Sequence, residues 1–230
     1  MVAPPSTSAP PSIQTSVRTD ALLIQATLSA EDRDQLSATL KGLRSALLGS
    51  SFLQPGKVHA ALAPRTGQMY AYLYLTEPLQ LEHAVAATLE ATLQAASPLL
   101  QQLRVSRLEK VFDQAGASAD TPPAYHYVVE MDPETGWMPQ LSDWYDTEHM
   151  PGLAHVPGCV RASRFLNHDH GPLSLACYDL VTQDTLGSPA WLAVRETDWS
   201  SRMRPHFTNT LRTMFDLAAD ARRPDPSARS

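Results

Sequence analysis

The chain has 230 residues, 43% of them hydrophobic and 18% charged, with a formal net charge of −6. That is enough to bury one large core or two small ones. The acidic balance and the lack of a basic stripe exclude a nucleic-acid partner, and no apolar run approaches a membrane span.

Residues 1–16 are rich in Pro, Ser and Ala, with no basic segment leading into an apolar one. They read as a disordered segment and not as a signal peptide. Ala21–Leu28 then reads as a strand. Ser29 with Glu31 and Asp32 opens a helix carrying Leu36, Leu40, Leu43 and Leu47 at helical spacing, ended by Gly49 and Ser50. Lys57–Ala63 and Gln68–Leu75 read as strands around the turn Pro64–Gly67. A second helix is expected from about Leu79 to Ala96, and Arg104–Phe112 closes the set as a strand. Residues 114–123 have linker composition, with Gly116 and Pro122–Pro123.

The order then repeats. Tyr125–Met131 is a strand, and Asp132–Pro133 leads to a helix ending near His149. Gly158–Phe165 and Leu173–Leu180 flank the turn Asn167–Pro172. Ser188–Pro189 opens another helix, and Phe207–Phe215 is the last strand. The tail 218–230 again reads as disordered. Two copies of strand–helix–strand–strand–helix–strand predict an α+β protein of two tandem ferredoxin-like units, residues 17–113 and 124–217, with packed antiparallel sheets.

The halves differ chemically. Residues 1–115 balance nine basic against nine acidic side chains, whereas 116–230 carry nine against fifteen. All four tryptophans and six of the eight histidines lie in the second half. Chemistry is expected there, with the first half as wall and lid. The richest stretch is Asp143–Pro151, where Trp144, Tyr145, Glu148 and His149 cluster at a helix end. On an α-helix Tyr145 and His149 share one side, as do Trp144 and Glu148. Ring area beside an imidazole suits a small-molecule pocket; the alternative is core aromatics with His149 capping the helix. Glu148 either orients His149 or is a solvated charge. His206, Arg202 and Arg204 cluster before the last strand, as a grip for a carboxylate or enolate oxygen or as a basic surface turn. In the first strand either His126 or the pair Tyr125 and Tyr127 lines the barrel. His168-Asp169-His170 lacks a third ligand at a recognisable spacing, so no metal site is expected. Cys159 and Cys177 read as buried, reduced thiols. No phosphate loop and no nucleophile elbow is present, which argues against nucleotide cofactors and a serine-hydrolase mechanism.

Trp144-Tyr-Asp-Thr-Glu-His149-Met-Pro, Val156-Pro-Gly-Cys-Val-Arg-Ala-Ser-Arg164, Ser188-Pro-Ala-Trp191 and Trp199–His206 resemble the EthD-like branch of the dimeric α/β-barrel superfamily. The resemblance spans residues 125–216; the first half matches only in element order. It implies a small-molecule substrate held between helix and sheet, and puts His149 in that cavity with Arg164, Arg202, Arg204 and His206 nearby. Trp144, Tyr145 and His126 join the set as substrate-contacting residues. The expected activity is cofactor-independent proton transfer (isomerase, cyclase, dehydratase or decarboxylase, with His149 and His206 as acid/base) on a small carbonyl or carboxylate compound. The alternatives are a cofactor-free monooxygenase of an electron-rich aromatic and a non-catalytic ligand-binding barrel. Some relatives bind haem. A cytoplasmic protein, either a monomer or a homodimer of the tandem chain, completes the expectation.

Overall fold

A computed structural model describes residues 16–48 and 55–218. The segments 1–15 and 219–230, where disorder is expected, and the expected helix stop at Gly49 and Ser50 lie outside the described residues. The first half runs β1 Ser16–Leu28, α1 Leu36–Leu48, β2 Pro55–Leu62, β3 Gln68–Glu82, α2 His83–Ala96 and β4 Leu100–Ala115. The second runs β5 Tyr125–Pro133, α3 Met138–Trp144, α4 Met150–Ala154, β6 Cys159–Asn167, β7 Ser174–Leu180, α5 Pro189–Arg195, α6 Asp198–Met203 and β8 Phe207–Leu217.

Each half forms an antiparallel sheet of the same order, β4-β1-β3-β2 and β8-β5-β7-β6, and the two join edge to edge into a closed eight-stranded barrel. Closure leaves no open sheet edge, which removes the usual site of edge-to-edge aggregation. The seams are unequal. Leu108–Ala115 of β4 pairs along Asn167–Arg161 of β6, whereas β2 and β8 share only the pairs Ala61–Leu217 and Leu62–Asp216.

Strand alternation divides the interior into three apolar compartments. Leu22, Ile24 and Leu28 of β1 point outward and pack with Leu43, Leu89 and Leu93 of α1 and α2. Ala21 and Leu23 point inward, meeting Tyr72, Phe165, Leu175 and Phe215 in the lumen. The second half's helices cover an aromatic compartment with Trp144, Tyr145, Tyr178 and Trp191.

Four elements depart from the sequence reading. α1 begins at Leu36, after a 3-10 turn over Arg33–Gln35, and not at Ser29, and the helix expected to end near His149 runs on through α4 to Ala154. β3 continues to Glu82, so α2 begins at His83 and not near Leu79. The ladder to β1 shifts between Thr19–Leu79 and Ala21–Tyr74, and the bulge accommodates Pro78, which has no N–H for a regular ladder. The last helix is broken into α5 and α6, each with its own N-cap. Ser188 Oγ accepts from the Trp191 amide at 3.2 Å, and Thr197 Oγ1 from the Ser200 amide at 3.1 Å. Gly152 lets α4 approach α5: a Cβ there would stand 2.9 Å from Cγ1 of Val194.

Candidate active site

Between α3 and α4 the helix widens into one π-turn, Tyr145–His149, in which the Met150 amide donates to the Tyr145 carbonyl, i→i+5. Pro151 supplies the reason. It has no amide to give an i→i−4 bond, and its ring crowds the carbonyl four residues back. The widening changes which side chains meet. Residues about five apart now align, so His149 stacks on Trp144 with ring centroids 4.2 Å apart at 25°, and meets Tyr145 edge-on at 5.7 Å. Glu148 does not orient His149. Its Oε1 accepts from Thr197 Oγ1 at 2.7 Å and ties the turn to the N-terminus of α6.

His149, Trp144 and Tyr145 line a helix–sheet pocket whose other walls include Tyr178, Trp191 and Phe207. Arg195, Arg204 and Arg212 also border it. Nδ1 of His149 is buried without a hydrogen-bond partner. Burial, then the nearby Arg195 and Arg204, pushes the imidazole pKa down to about 3. The ring is therefore neutral at neutral pH, with a nitrogen unsatisfied beside three cations. The pocket volume is about 40 Å³. That accommodates a water, and a substrate enters only when side chains move. Arg195 and Arg204 are half-buried and Arg212 is exposed, so the movable groups stand at the rim.

The other expected site residues lie elsewhere. His206 sits in a 3-10 turn before β8, stacks on Trp137 at 3.3 Å and places Nδ1 2.6 Å from Glu134 Oε2, outside the pocket. Arg202, in the last turn of α6, is exposed and does not line the pocket. Arg164 is buried behind Tyr145, with its guanidinium carbon 5.1 Å from that ring and Nη2 3.1 Å from Asp146 Oδ1. It holds the aromatic wall and does not reach the pocket. His126 faces the lumen while Tyr127 faces the helices, which resolves the strand's two readings.

The lumen holds chemistry that sequence reasoning missed. His126 Nδ1 lies 2.7 Å from Asp179 Oδ1, and its Nε2 lies 3.1 Å from the Tyr72 hydroxyl. His59 Nε2, from the first half, stands 3.2 Å from the same Asp179 oxygen. That contact is short, yet Nε2 makes no aligned hydrogen bond. Deeper in, Tyr70 donates to Glu130 at 2.8 Å. Burial raises the Glu130 pKa, which the Tyr70 bond opposes. His59 and Asp179 border a cavity of about 390 Å³ at the barrel mouth, with Tyr74, Phe165, Arg161 and Lys110. Ligand pockets begin near this size. The first half is therefore more than wall and lid. The available signal was an isolated histidine or acid among apolar residues on the inward faces of β2, β5 and β7.

The loop His168-Asp169-His170 scatters its groups. His168 goes to Glu109 at 3.2 Å and His170 to Glu90 at 3.3 Å. Asp169 is buried against Arg107, taking Nε at 2.9 Å and Nη2 at 2.9 Å, while Arg107 Nη1 donates to the Leu81 carbonyl. The loop is a clamp between the halves. Cys159 and Cys177 are free and buried, and burial pushes the Cys159 thiol up to about 12.

A haem does not fit the helix–sheet pocket. Its volume is far below that of a cofactor cleft, and Trp144 lies flat on the imidazole that would be the axial ligand.

The closed barrel of two ferredoxin-like units is the fold of the dimeric α/β-barrel proteins, here completed within one chain. No protein-family model matches the chain, and no curated protein matches its sequence. Solved structures do match. A proposed monooxygenase from Lactobacillus acidophilus NCFM superposes with a TM-score of 0.58 at 10% identity, over 89% of this chain and 94% of that one. An anthrone oxidase-like protein gives 0.56 at 11%, over 86% and 90%. A proposed chlorite dismutase gives 0.55 at 11%, over 89% and 97%. At such identities the likeness is one of fold. Among the described residues, no helix is long and apolar enough to cross a membrane.

Proposed function

We propose that the protein is a cofactor-independent enzyme of the EthD-like kind. It would act by proton transfer at His149 on a small, partly apolar compound bearing a carboxylate or an acidic carbonyl. The observation that carries this reading is the unpartnered, buried Nδ1 of His149, stacked on Trp144 in a pocket bordered by Arg195, Arg204 and Arg212. A neutral imidazole with a low pKa is a weak base in the empty pocket. An anionic substrate among the three guanidiniums offsets the charges that help depress it, so basicity rises when substrate is present. The ring of the substrate lies against Trp144 and Tyr145. His149 takes the proton next to the carbonyl, and the guanidiniums stabilise the developing oxyanion. Return of the proton at another atom gives isomerisation, attack of the enolate carbon on a second carbonyl of the same molecule gives cyclisation, and departure of a β-hydroxyl with that proton, as water, gives dehydration. In decarboxylation CO₂ leaves first and a protonated His149 supplies the proton to the carbon.

A second reading is favoured by the aromatic wall and by the oxidase and monooxygenase names of the fold neighbours. In it the same deprotonation generates an electron-rich anion of a phenol or anthrone, which then reacts with O₂. One experiment tests both. Aromatic acids, lactones and anthrones are screened by tryptophan quenching, then followed for turnover and oxygen uptake. His149→Gln should fold and bind yet lose about 10²–10⁴ in rate, roughly 3–5 kcal/mol. Retained turnover in that variant overturns the assignment of His149, and oxygen uptake separates the two readings.

A further inference from the structure

We infer that His59, His126 and Asp179 form a site for one divalent transition-metal ion at the floor of the barrel-mouth cavity, separate from the His149 pocket. Nε2 of His59, Nδ1 of His126 and a carboxylate oxygen of Asp179 all lie within 4.8 Å of one another. Among the described residues they are the one group of three such side chains that could hold an ion. With metal bonds of about 2.0–2.2 Å, neighbouring ligand atoms of a tetrahedral site stand roughly 3.3 Å apart. The His59–Asp179 separation of 3.2 Å already matches. The His126–Asp179 distance of 2.7 Å is that of a hydrogen bond and opens by about half an ångström when a metal replaces the proton.

Two independent features point to a ligand. Nε2 of His59 is buried to 3% residue exposure, close to Asp179 yet without an aligned hydrogen bond. A buried imidazole nitrogen in that condition is costly unless something accepts its lone pair or its proton. The second feature is the support around His126. Its other nitrogen faces the Tyr72 hydroxyl at 3.1 Å, and that hydroxyl lies 3.7 Å from Cys177 Sγ. Without metal, Nδ1–H donates to Asp179 and Tyr72 donates to Nε2. With metal on Nδ1, the proton sits on Nε2 and donates to Tyr72, whose own hydrogen turns to the sulfur. Such an outer partner fixes the tautomer and orientation of a metal-ligating histidine. His59 and Asp179 border the cavity, so the remaining coordination positions open onto a space of about 390 Å³. Three protein ligands with an open position are the arrangement of catalytic zinc sites, and two histidines with one carboxylate also suit ferrous iron.

The test uses the full chain, treated with chelator, desalted and titrated with Co²⁺ and Zn²⁺ by visible absorption and calorimetry. One Co²⁺ per chain with the intense bands of four- or five-coordination is expected, displaced by Zn²⁺. His59→Gln and Asp179→Asn should each weaken binding at least tenfold, and Tyr72→Phe by about ten- to a hundredfold as a positioning residue. The paired change His168→Gln and His170→Gln should bind as the parent does, since those rings serve other carboxylates. A weak, six-coordinate cobalt spectrum on the parent chain overturns the site and leaves a proton-bridged His–Asp–His cluster. That readout depends on no variant folding. Undiminished binding in folded His59→Gln and Asp179→Asn also overturns it.

Discussion

The depressed pKa of His149 makes its burial measurable as a pH-dependent stability. In an unfolded chain an imidazole titrates near 6.5, and in the folded pocket the value is about 3. Above pH 6.5 the ring is neutral in both states and contributes nothing to the pH dependence. Between 6.5 and 3 the unfolded chain takes up a proton that the folded chain refuses. Stability therefore falls as pH falls through that window. At pH 5 the unfolded ring lies 1.5 pH units below its midpoint, so the loss is about 2 kcal/mol, from 1.36 kcal/mol per unit.

His149→Gln removes this one titration and leaves every other group in place. Urea unfolding of parent and variant at pH 7, 6 and 5 gives the comparison directly. The stability of the variant relative to the parent should improve by about 2 kcal/mol between pH 7 and 5, with most of the change below pH 6. Other groups titrate alike in both proteins and cancel in the difference. Parallel curves from pH 7 to 5 would mean that the imidazole protonates freely in the folded state. The depression, and with it the dry, cation-flanked pocket, would be refuted.

Three further outcomes follow from the packing. Asp169→Ala leaves the buried Arg107 guanidinium without its carboxylate and should cost about 3–5 kcal/mol in chemical denaturation. Trp144→Ala, at 1% exposure, should cost about 3–5 kcal/mol and raise the His149 pKa, read by NMR titration, as water reaches the ring. Thr197→Ala removes the N-cap of α6 and the partner of Glu148, and should cost about 1 kcal/mol of thermal stability without altering metal binding.

Local periodicity carries much of this structure into view. The element order of both halves is legible because leucines recur at helical spacing in α1 and alternation marks each strand. The convergence of Trp144, Tyr145 and His149 is legible because all three lie within six residues. The π-turn is not: Pro151 is its only mark, and the stacking of residues 144 and 149 contradicts α-helical spacing. The run of β3 through Pro78 is hidden for a similar reason, since a bulge is what makes proline tolerable there. The lumen cluster is least legible. His126 of β5 and Asp179 of β7 are opposite each other in one ladder, but His59 of β2 joins them only because β8, pairing with both β2 and β5, closes the barrel.

Closure within one chain also leaves the two halves free to differ. In a barrel of two identical chains, a substitution in one sheet appears in the other; a tandem chain is free of that coupling. The first half has filled its helix–sheet layer with aliphatic residues around Leu22, Leu43, Leu89 and Leu93. The corresponding layer of the second half is aromatic and holds His149. The first half contributes instead to the lumen, through His59, Tyr70 and Tyr72. β5 faces both compartments: His126 points inward to Asp179, while Tyr127 points outward to the pocket of His149. Because successive side chains of a strand alternate, the two compartments share a backbone yet no side chain. Metal binding at the barrel mouth should therefore leave the His149 titration in place, and filling the His149 pocket should leave cobalt absorption unchanged. A shift of either signal by the other ligand would show that strand alternation alone does not insulate the two compartments.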